Sequence, residues 1–291
     1  MLKLGIITDQ VSMDLEHALP VIEDLGIHYV EIHSLWNKTI ENLSLAQAKQ
    51  AQEIVRKYGL EVSNISATLF LMCHLKESKT IIPHFSDHFI TKRGDYYQHL
   101  QALEYCIQLG EIFATDKIRI FGFRKEKPLD NETAINLISE KLRYPVELAE
   151  KAGVTLLLEN CPHTYLQAGW QTAKVIEQIN SENLKALWDP GNTLRRGTIP
   201  YPDDYEKTRQ YLAHIHIKDL ARENSDYRPV LLGEGEIDYQ KIIRNLVEDN
   251  YEGVISLEPE YEAKIGGQIK SSKQSTARMR GILSYLHIRV Q

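Results

Sequence analysis

Four residues that can bind a metal ion end four successive apolar runs in the second half of the chain. The runs read Leu-Leu-Leu-Glu159, Ala-Leu-Trp-Asp189, His-Ile-His216 and Ser-Leu-Glu258. Their intervals of 30, 27 and 42 residues each suit one strand followed by one helix. Three carboxylates held within a few ångströms of each other repel, so they must take up protons or share a cation. The pattern predicts one divalent metal ion held by Glu159, Asp189, His216 and Glu258.

The types of donor atom limit which metal this site would hold. Carboxylate oxygens suit Mg²⁺ and Mn²⁺, and the imidazole of His216 also admits Zn²⁺ or Co²⁺. The expected cofactor is therefore one ion of Mn, Mg, Zn or Co. Each of the four residues alone could be an ordinary solvent-exposed strand end. Their common position at the ends of consecutive strands favours a shared site.

A regular series of strands and helices would bring these strand ends together. Short apolar runs predict eight strands, at residues 2–7, 29–33, 61–65, 117–121, 155–159, 186–189, 213–217 and 254–258. Helical patterns lie between the strands, and several of them are followed by a glycine that would end the helix, such as Gly110 and Gly153. The chain therefore alternates strictly between strand and helix.

Strict alternation predicts parallel strands joined by helical crossovers. Eight such units predict an α/β fold, a single-domain (β/α)8 TIM barrel that spans residues 1–291. A doubly wound open sheet is the alternative. That fold is expected to show a glycine-rich turn after its first strand. Here the first strand leads into Thr8-Asp9-Gln10, which contains no glycine.

Composition excludes several functional classes. Hydrophobic residues make up 43% and charged residues 25% of the chain, values that are typical of globular proteins rather than disordered ones. A net charge of −6 disfavours a general nucleic-acid binder. No apolar run approaches the ~18 residues of a membrane span, and the N-terminus lacks the pattern of a secretory signal. With three scattered cysteines, the expected location is the reducing cytoplasm.

The motifs resemble those of the xylose isomerase-like TIM-barrel superfamily, and within it the sugar phosphate isomerase/epimerase family. They are Leu-Leu-Leu-Glu-Asn at 156–160, Trp-Asp-Pro-Gly-Asn at 188–192, His-Ile-His-Ile-Lys-Asp at 214–219, Gly-Glu-Gly-Glu-Ile-Asp-Tyr at 233–239 and Ser-Leu-Glu-Pro-Glu at 256–260. The resemblance implies the same four metal ligands that the strand ends predict. It also implies that Glu159 and Glu258 are catalytic and move protons to and from the substrate through a metal-bound enediolate.

The function implied is a metal-dependent isomerase or epimerase of a sugar, polyol or related hydroxy-carbonyl compound. A lyase of the inosose or 3-dehydroshikimate dehydratase type is an alternative, and so is a non-catalytic barrel that binds a sugar. Tyr165 and Asn192 stand where ketose 3-epimerases have a glutamate and a histidine, which puts epimerisation of a free ketose in doubt. The expected partner is a small sugar-like substrate, without nucleic acid or membrane; assembly into a homo-oligomer stays open.

Five further residues are candidates for binding the substrate. Arg222 matches an arginine that contacts substrate in the ketose epimerases, and Lys218 directly follows the seventh strand. His33 and Trp36 follow the second strand and could form a wall, and His163 follows the fifth. For each, surface exposure, packing or a simple ion pair is the ordinary alternative.

Three neighbours of the ligands have structural interpretations. His214 lies two residues before His216 and so faces the same side of the strand. We expect it in a lower layer of the barrel interior, with a supporting contact to a ligand as the alternative. Asn160 and Asn192 are predicted to cap the loops that follow them rather than to orient ligands.

Overall fold

Eight parallel strands close into a barrel. The computed structural model describes residues 1–76, 82, 89–263 and 265–290. The barrel strands are β1 (Lys3–Ile7), β2 (Tyr29–Ile32), β3 (Glu61–Leu69), β4 (Lys117–Phe121), β5 (Thr155–Glu159), β6 (Leu184–Trp188), β7 (Leu212–Ile217) and β8 (Val254–Leu257). Each strand pairs with the next, and β8 pairs with β1 to close the sheet. The predicted (β/α)8 TIM barrel is confirmed.

Helices connect the strands on the outside of the barrel. They are α1 (Leu15–Asp24), α2 (Leu45–Lys57), α3 (Tyr96–Phe113), α4 (Asn131–Ala152), α5 (Gly169–Ile179), α6 (Pro190–Leu194), α7 (Tyr205–Thr208), α8 (Tyr239–Glu248) and α9 (Gly267–Tyr285). Side chains such as Ser44 and Asp130 cap the first turn by accepting backbone N–H groups. Within the described part of the chain, none of these helices has both the length and the apolar character that crossing a membrane requires.

The glycines predicted to end helices do not all do so. Gly153 ends α4 with a left-handed φ of +67°. Gly110 lies inside α3, which continues to Phe113 and is capped by Ala114. A Cβ on Gly110 would lie 2.7 Å from the carbonyl oxygen of Thr115, so this glycine permits a close approach of two backbone segments. The prediction that α3 ends at Gly110 was wrong, because this glycine serves the close approach and the helix continues to Phe113.

Two hairpins at the C-terminal ends of the strands were not predicted. In the first, which follows β2, Ser34–Leu35 pairs with Lys38–Thr39. In the second, which follows β7, Asp219–Glu223 pairs with Asp226–Val230. Neither belongs to the barrel sheet, and both carry residues that the sequence placed near the substrate.

Buried polar groups fill part of the barrel interior. Glu31 of β2 contacts His214 and His216 of β7. Because β2 and β7 are not neighbours in the sheet, this contact crosses the interior. All three residues are 0% exposed. Buried charge is stable only where it is paired, and here the two histidines are the partners of the Glu31 carboxylate. Because His216 is also a predicted ligand, this buried group lies directly beside the predicted metal centre.

Candidate metal centre

Three of the four predicted ligands converge at the C-terminal ends of β5, β6 and β7. Donor atoms of Glu159, Asp189 and His216 all lie within 4.8 Å of one another. Asp189 follows β6 and caps α6, with Oδ1 accepting the backbone N–H of Asn192 at 2.9 Å. Its Oδ2 is left outside the cap and lies 2.9 Å from Nζ of Lys218, and Nδ1 of His216 is buried without a hydrogen bond within the described part of the chain. A buried imidazole nitrogen that lacks a hydrogen bond and faces carboxylate oxygens is what a metal ion would satisfy.

The fourth predicted ligand reaches the same point. Glu258 directly follows β8, and its backbone N–H donates to the carbonyl of Ile217 on β7. Its Oε2 lies 3.4 Å from Nδ1 of His216, and Oε1 of Glu159 lies 3.7 Å from the same nitrogen. Three carboxylates and one imidazole nitrogen therefore face a common centre. This donor set fits a divalent cation with a preference for oxygen ligands.

Lys218 already places one positive charge beside this centre. Its Nζ lies 2.9 Å from Oδ2 of Asp189, 3.0 Å from Oε2 of Glu258 and 2.7 Å from Oε1 of Glu260. Burial alone would lower the pKa of the ammonium group, but the three carboxylates hold it well above its ordinary value. Lys218 therefore stays charged and offsets part of the negative charge that the ligands bring.

The carboxylates of the centre respond differently to this environment. Burial raises the pKa of Asp189 to about 7, and the negative charges of Glu258 and Glu159 add to the effect against the attraction of Lys218. Burial also opposes ionisation of Glu258, but Lys218 and His216 hold its pKa well below its ordinary value. Without a metal, Asp189 is thus the carboxylate that takes up a proton near neutral pH.

Arg119 forms a hydrogen bond with Glu159, and the sequence did not predict a role for this arginine. Its guanidinium donates from Nη1 to Oε2 of Glu159 at 3.2 Å, and also to the backbone carbonyls of Ser66 and Ala67 on β3. The arginine is 2% exposed. A charged residue in the middle of the apolar run Ile118-Arg119-Ile120 is the signal that could have revealed it.

Glu31 is the second residue that the sequence interpretation missed. Burial would raise the pKa of its carboxyl group, but His214 and His216 hold that pKa well below its ordinary value. Burial would likewise lower the pKa of His216, but Glu31 and Glu159 hold it well above 6.5. The signal was again a charged residue within an apolar strand, Tyr29-Val30-Glu31-Ile32.

Asn160 supports the centre instead of capping its own loop. Its Oδ1 accepts the backbone N–H of Asp189 at 2.9 Å, and its Nδ2 donates to the carbonyl oxygen of Asp189 at 2.9 Å. These two bonds fix the backbone from which a predicted ligand projects. Asn192, in α6, donates to the carbonyl of Asn160 at 3.0 Å and lies 3.4 Å from Oε1 of Glu159. The capping interpretation of both asparagines was therefore wrong.

A cavity of about 360 Å³ opens above the centre. Its polar floor includes Arg119, Glu159, Lys218 and Glu258, and its walls include Phe89, Phe121, Cys161, His163, Asn192, Arg195, Glu260 and Glu262. The volume is in the range of small-molecule sites, and the polar floor beside aromatic walls suits a compact polar substrate. Burial and the nearby Arg124 and Arg196 lower the pKa of His163 to about 4, so its imidazole is neutral at neutral pH.

The five candidates for substrate binding do not all reach this cavity. Lys218 and His163 line it. His33 lies behind the wall, where its ring stacks on Phe89 at 4.8 Å and its Nδ1 lies 2.6 Å from Oδ2 of Asp9.

The other two candidates lie on the two hairpins. Trp36 sits in the turn of the first hairpin, and its Nε1 donates to Glu16 at 3.2 Å. Arg222 is exposed on the second hairpin and lies over the ring of Tyr227 at 5.7 Å. Neither is among the residues that line the cavity. Their roles as substrate contacts stay predictions that the geometry does not favour.

Comparisons with known proteins identify similar sequences and structures of the same fold. The inosose dehydratase of Clostridium botulinum (strain Alaska E43 / Type E3) is 27% identical over 159 residues, which are 48% of this chain and 52% of that protein. The chain thus matches about half the length of this curated relative. The solved structure of the IolI protein with a bound zinc atom has a TM-score of 0.74 at 17% identity, covering 98% of this chain and 99% of that one. The structure of L-ribulose 3-epimerase has a TM-score of 0.71 at 17% identity, covering 99% and 96%.

A family model gives the classification. Residues 19–282 match the model described as xylose isomerase-like TIM barrel. This range includes all four predicted ligands, together with Glu31 and Arg119. The resemblance seen in the motifs is therefore confirmed. The chain belongs to the xylose isomerase-like TIM barrel family.

Proposed function

We propose that the protein is a divalent-metal-dependent isomerase or epimerase of a sugar, polyol or related hydroxy-carbonyl compound. The observation that carries the proposal is the placement of two glutamates around one centre. Glu159 comes from β5 and Glu258 follows β8, and their oxygens lie 3.7 and 3.4 Å from the same nitrogen of His216. Both line the cavity. A bound divalent ion would polarise a substrate carbonyl and stabilise negative charge on its oxygen.

Different side chains hold the two glutamates in place for proton transfer. Arg119 binds Oε2 of Glu159 and leaves Oε1 facing Asn192 and the centre. Lys218 donates to Oε2 of Glu258 at 3.0 Å. Each carboxylate is thus held in place by a buried cation. One can remove a proton from the carbon next to the carbonyl while the other returns a proton from a second direction.

A lyase is the second candidate, and the curated relative named inosose dehydratase favours it. Dehydration shares the first proton abstraction and then expels a hydroxyl group from the next carbon. The buried ammonium of Lys218 lines the cavity within 3.0 Å of Glu258, where it could donate a hydrogen bond to a departing oxygen. The IolI structure with zinc supports a metal centre in either case. A non-catalytic barrel has less support, since buried ligand-type side chains that converge on one centre beside the cavity have no evident use in it.

One experiment tests the shared step and separates the two outcomes. Metal-loaded protein is incubated in D₂O with ketoses, inososes and 3-dehydroshikimate, and products are followed by proton NMR. We expect deuterium at the carbon next to the carbonyl; an epimer or isomer supports the first candidate, and a new double bond supports the second. Glu159→Gln and Glu258→Gln should reduce turnover by ~10²–10⁴-fold. Glu53→Gln, which alters an exposed glutamate of α2 outside the cavity lining, is the control. Full activity in both glutamine variants would refute the two-glutamate mechanism.

A further inference from the structure

A completely buried carboxylate lies on the interior side of the proposed metal centre. Glu31 of β2 is 0% exposed. Its Oε1 lies 2.5 Å from Nε2 of His214, and its Oε2 lies 3.1 Å from Nε2 of His216. Ser66 donates its hydroxyl to the same Oε2 at 3.1 Å. Glu31 does not line the cavity, so it has no route to a substrate in this arrangement.

His216 stands between this carboxylate and the other ligands. Its Nε2 faces Glu31, whereas its Nδ1 faces Glu159 and Glu258 at 3.7 and 3.4 Å. An ionised carboxylate can only accept hydrogen bonds, so the contact with Glu31 requires a proton on Nε2. When a metal ion binds, Nδ1 must give up any proton that it carries, and it then provides the lone pair while Nε2 keeps its N–H.

We propose that Glu31 is a positioning residue of the metal centre, which fixes His216 as a ligand through Nδ1 by accepting the Nε2–H hydrogen bond. The inference rests on the proposed metal centre and adds a residue from the opposite side of the barrel. A carboxylate behind a metal-binding histidine fixes the ring orientation and strengthens the ligand. His214 and Ser66 hold the carboxylate in turn, since each contacts one of its two oxygens.

The distances favour a hydrogen-bonded pair over a second metal ion at Glu31. Donor atoms of Glu31, His214 and His216 do lie within 4.8 Å of one another. Two ligands at ~2.1 Å from one tetrahedral ion would be roughly 3.4 Å apart. The 2.5 Å between Oε1 of Glu31 and Nε2 of His214 is too short for that arrangement and fits a direct hydrogen bond between the two side chains.

The wild-type protein provides the first test. Zinc is diamagnetic, so the two ring nitrogens of His216 can be assigned in the zinc-loaded full chain by long-range ¹H–¹⁵N NMR. We expect Nδ1 to show the shift of a metal-bound nitrogen and Nε2 to carry a proton in a hydrogen bond. Ligation through Nε2, or an unprotonated Nε2, would overturn the inference even if no variant folds. Two zinc ions per chain with Glu31 as a ligand would also overturn it.

Glu31→Gln provides the second test because it keeps the shape of the side chain and removes its charge. We expect zinc affinity to fall about 10–100-fold, with a change in the Nε2–H resonance of His216. Glu41→Gln is the matched control. Glu41 is also a buried glutamate, at 5% exposure, but its Oε1 accepts from Thr68 and not from a ligand of the centre. Thermal unfolding of both metal-free variants measures any general loss of stability.

The outcomes separate the inference from the proposed centre. If wild-type protein binds no zinc at His216, the metal centre itself is wrong and the inference fails with it. If wild-type protein binds zinc and Glu31→Gln binds it equally tightly with an unchanged His216 spectrum, only the role of Glu31 is wrong. A loss of thermal stability without loss of affinity would assign Glu31 to folding alone and overturn the positioning role.

Discussion

Arg119 and Glu159 form a buried ion pair between β4 and β5, with Nη1 and Oε2 3.2 Å apart and both side chains no more than 4% exposed. The arginine reaches the pair from a strand interior and is anchored by two carbonyls of β3. The ion pair therefore holds the glutamate in one orientation where it enters the cavity. Removal of either partner leaves a buried charge without compensation, which costs far more than the pair itself contributes.

Arg119→Met should destabilise the protein by about 3–5 kcal/mol because it leaves the Glu159 carboxylate buried without its closest cation. Chemical denaturation followed by circular dichroism measures this change. The double variant Arg119→Met with Glu159→Gln should recover part of the loss, since the unpaired charge is gone. Additive losses in the two single variants and the double variant would show that the residues do not interact.

Stability of the metal-free protein should depend on pH through Asp189. Its folded pKa of about 7 exceeds the ordinary value of 3.8, so between these values the folded state binds a proton that the unfolded state has lost. The contribution of Asp189 to the free energy of unfolding therefore falls as pH rises from about 4 to about 7. Asp189→Asn should gain stability relative to wild type over this window, by several kcal/mol at most, since one pKa unit corresponds to about 1.4 kcal/mol.

Urea unfolding of EDTA-treated wild type and Asp189→Asn at pH 5 and pH 8 measures that difference. Asp203→Asn is a suitable control, because Asp203 is exposed and has no part in the centre. A stability difference between wild type and Asp189→Asn that does not change with pH would contradict the raised pKa.

His33 should affect substrate binding through packing rather than through the reaction. Its ring supports Phe89, which lines the cavity, and Asp9 holds the imidazole at Nδ1. We expect His33→Ala to raise KM with only a small change in kcat, and Asp9→Asn to have a weaker effect in the same direction. Steady-state kinetics on the substrate found in the screen decide this. A fall in kcat of about 100-fold or more at unchanged KM would instead indicate that His33 takes part in proton transfer.

The sequence predicted that the four proposed ligands come together because their pattern is local. Glu159, Asp189, His216 and Glu258 each end an apolar run, and parallel strands in a closed barrel must bring such ends to one side. Glu31 could not be assigned in this way. Its partner His216 lies 185 residues later, and the pairing depends on which strands face each other across the interior.

The loops were harder to predict for a related reason. Arg222 lies six residues after His216, a spacing that suggests a place beside the substrate. The backbone at Asp219–Glu223 instead pairs with Asp226–Val230, and the resulting hairpin leaves Arg222 exposed. A spacing along the chain does not show the direction in which a loop folds, since that direction is set by contacts between distant residues.

The metal content of the purified protein is the most direct test of the proposed centre. Protein incubated with Mn²⁺, Mg²⁺, Zn²⁺ or Co²⁺ and then desalted should retain one divalent ion per chain by elemental analysis. His216→Ala should lose that ion, because the imidazole is the only nitrogen ligand among the four predicted residues. His163→Ala, which alters another histidine of the cavity wall, should keep it. Wild-type protein that retains no ion, or His216→Ala with the metal content of wild type, would contradict the centre formed by Glu159, Asp189, His216 and Glu258.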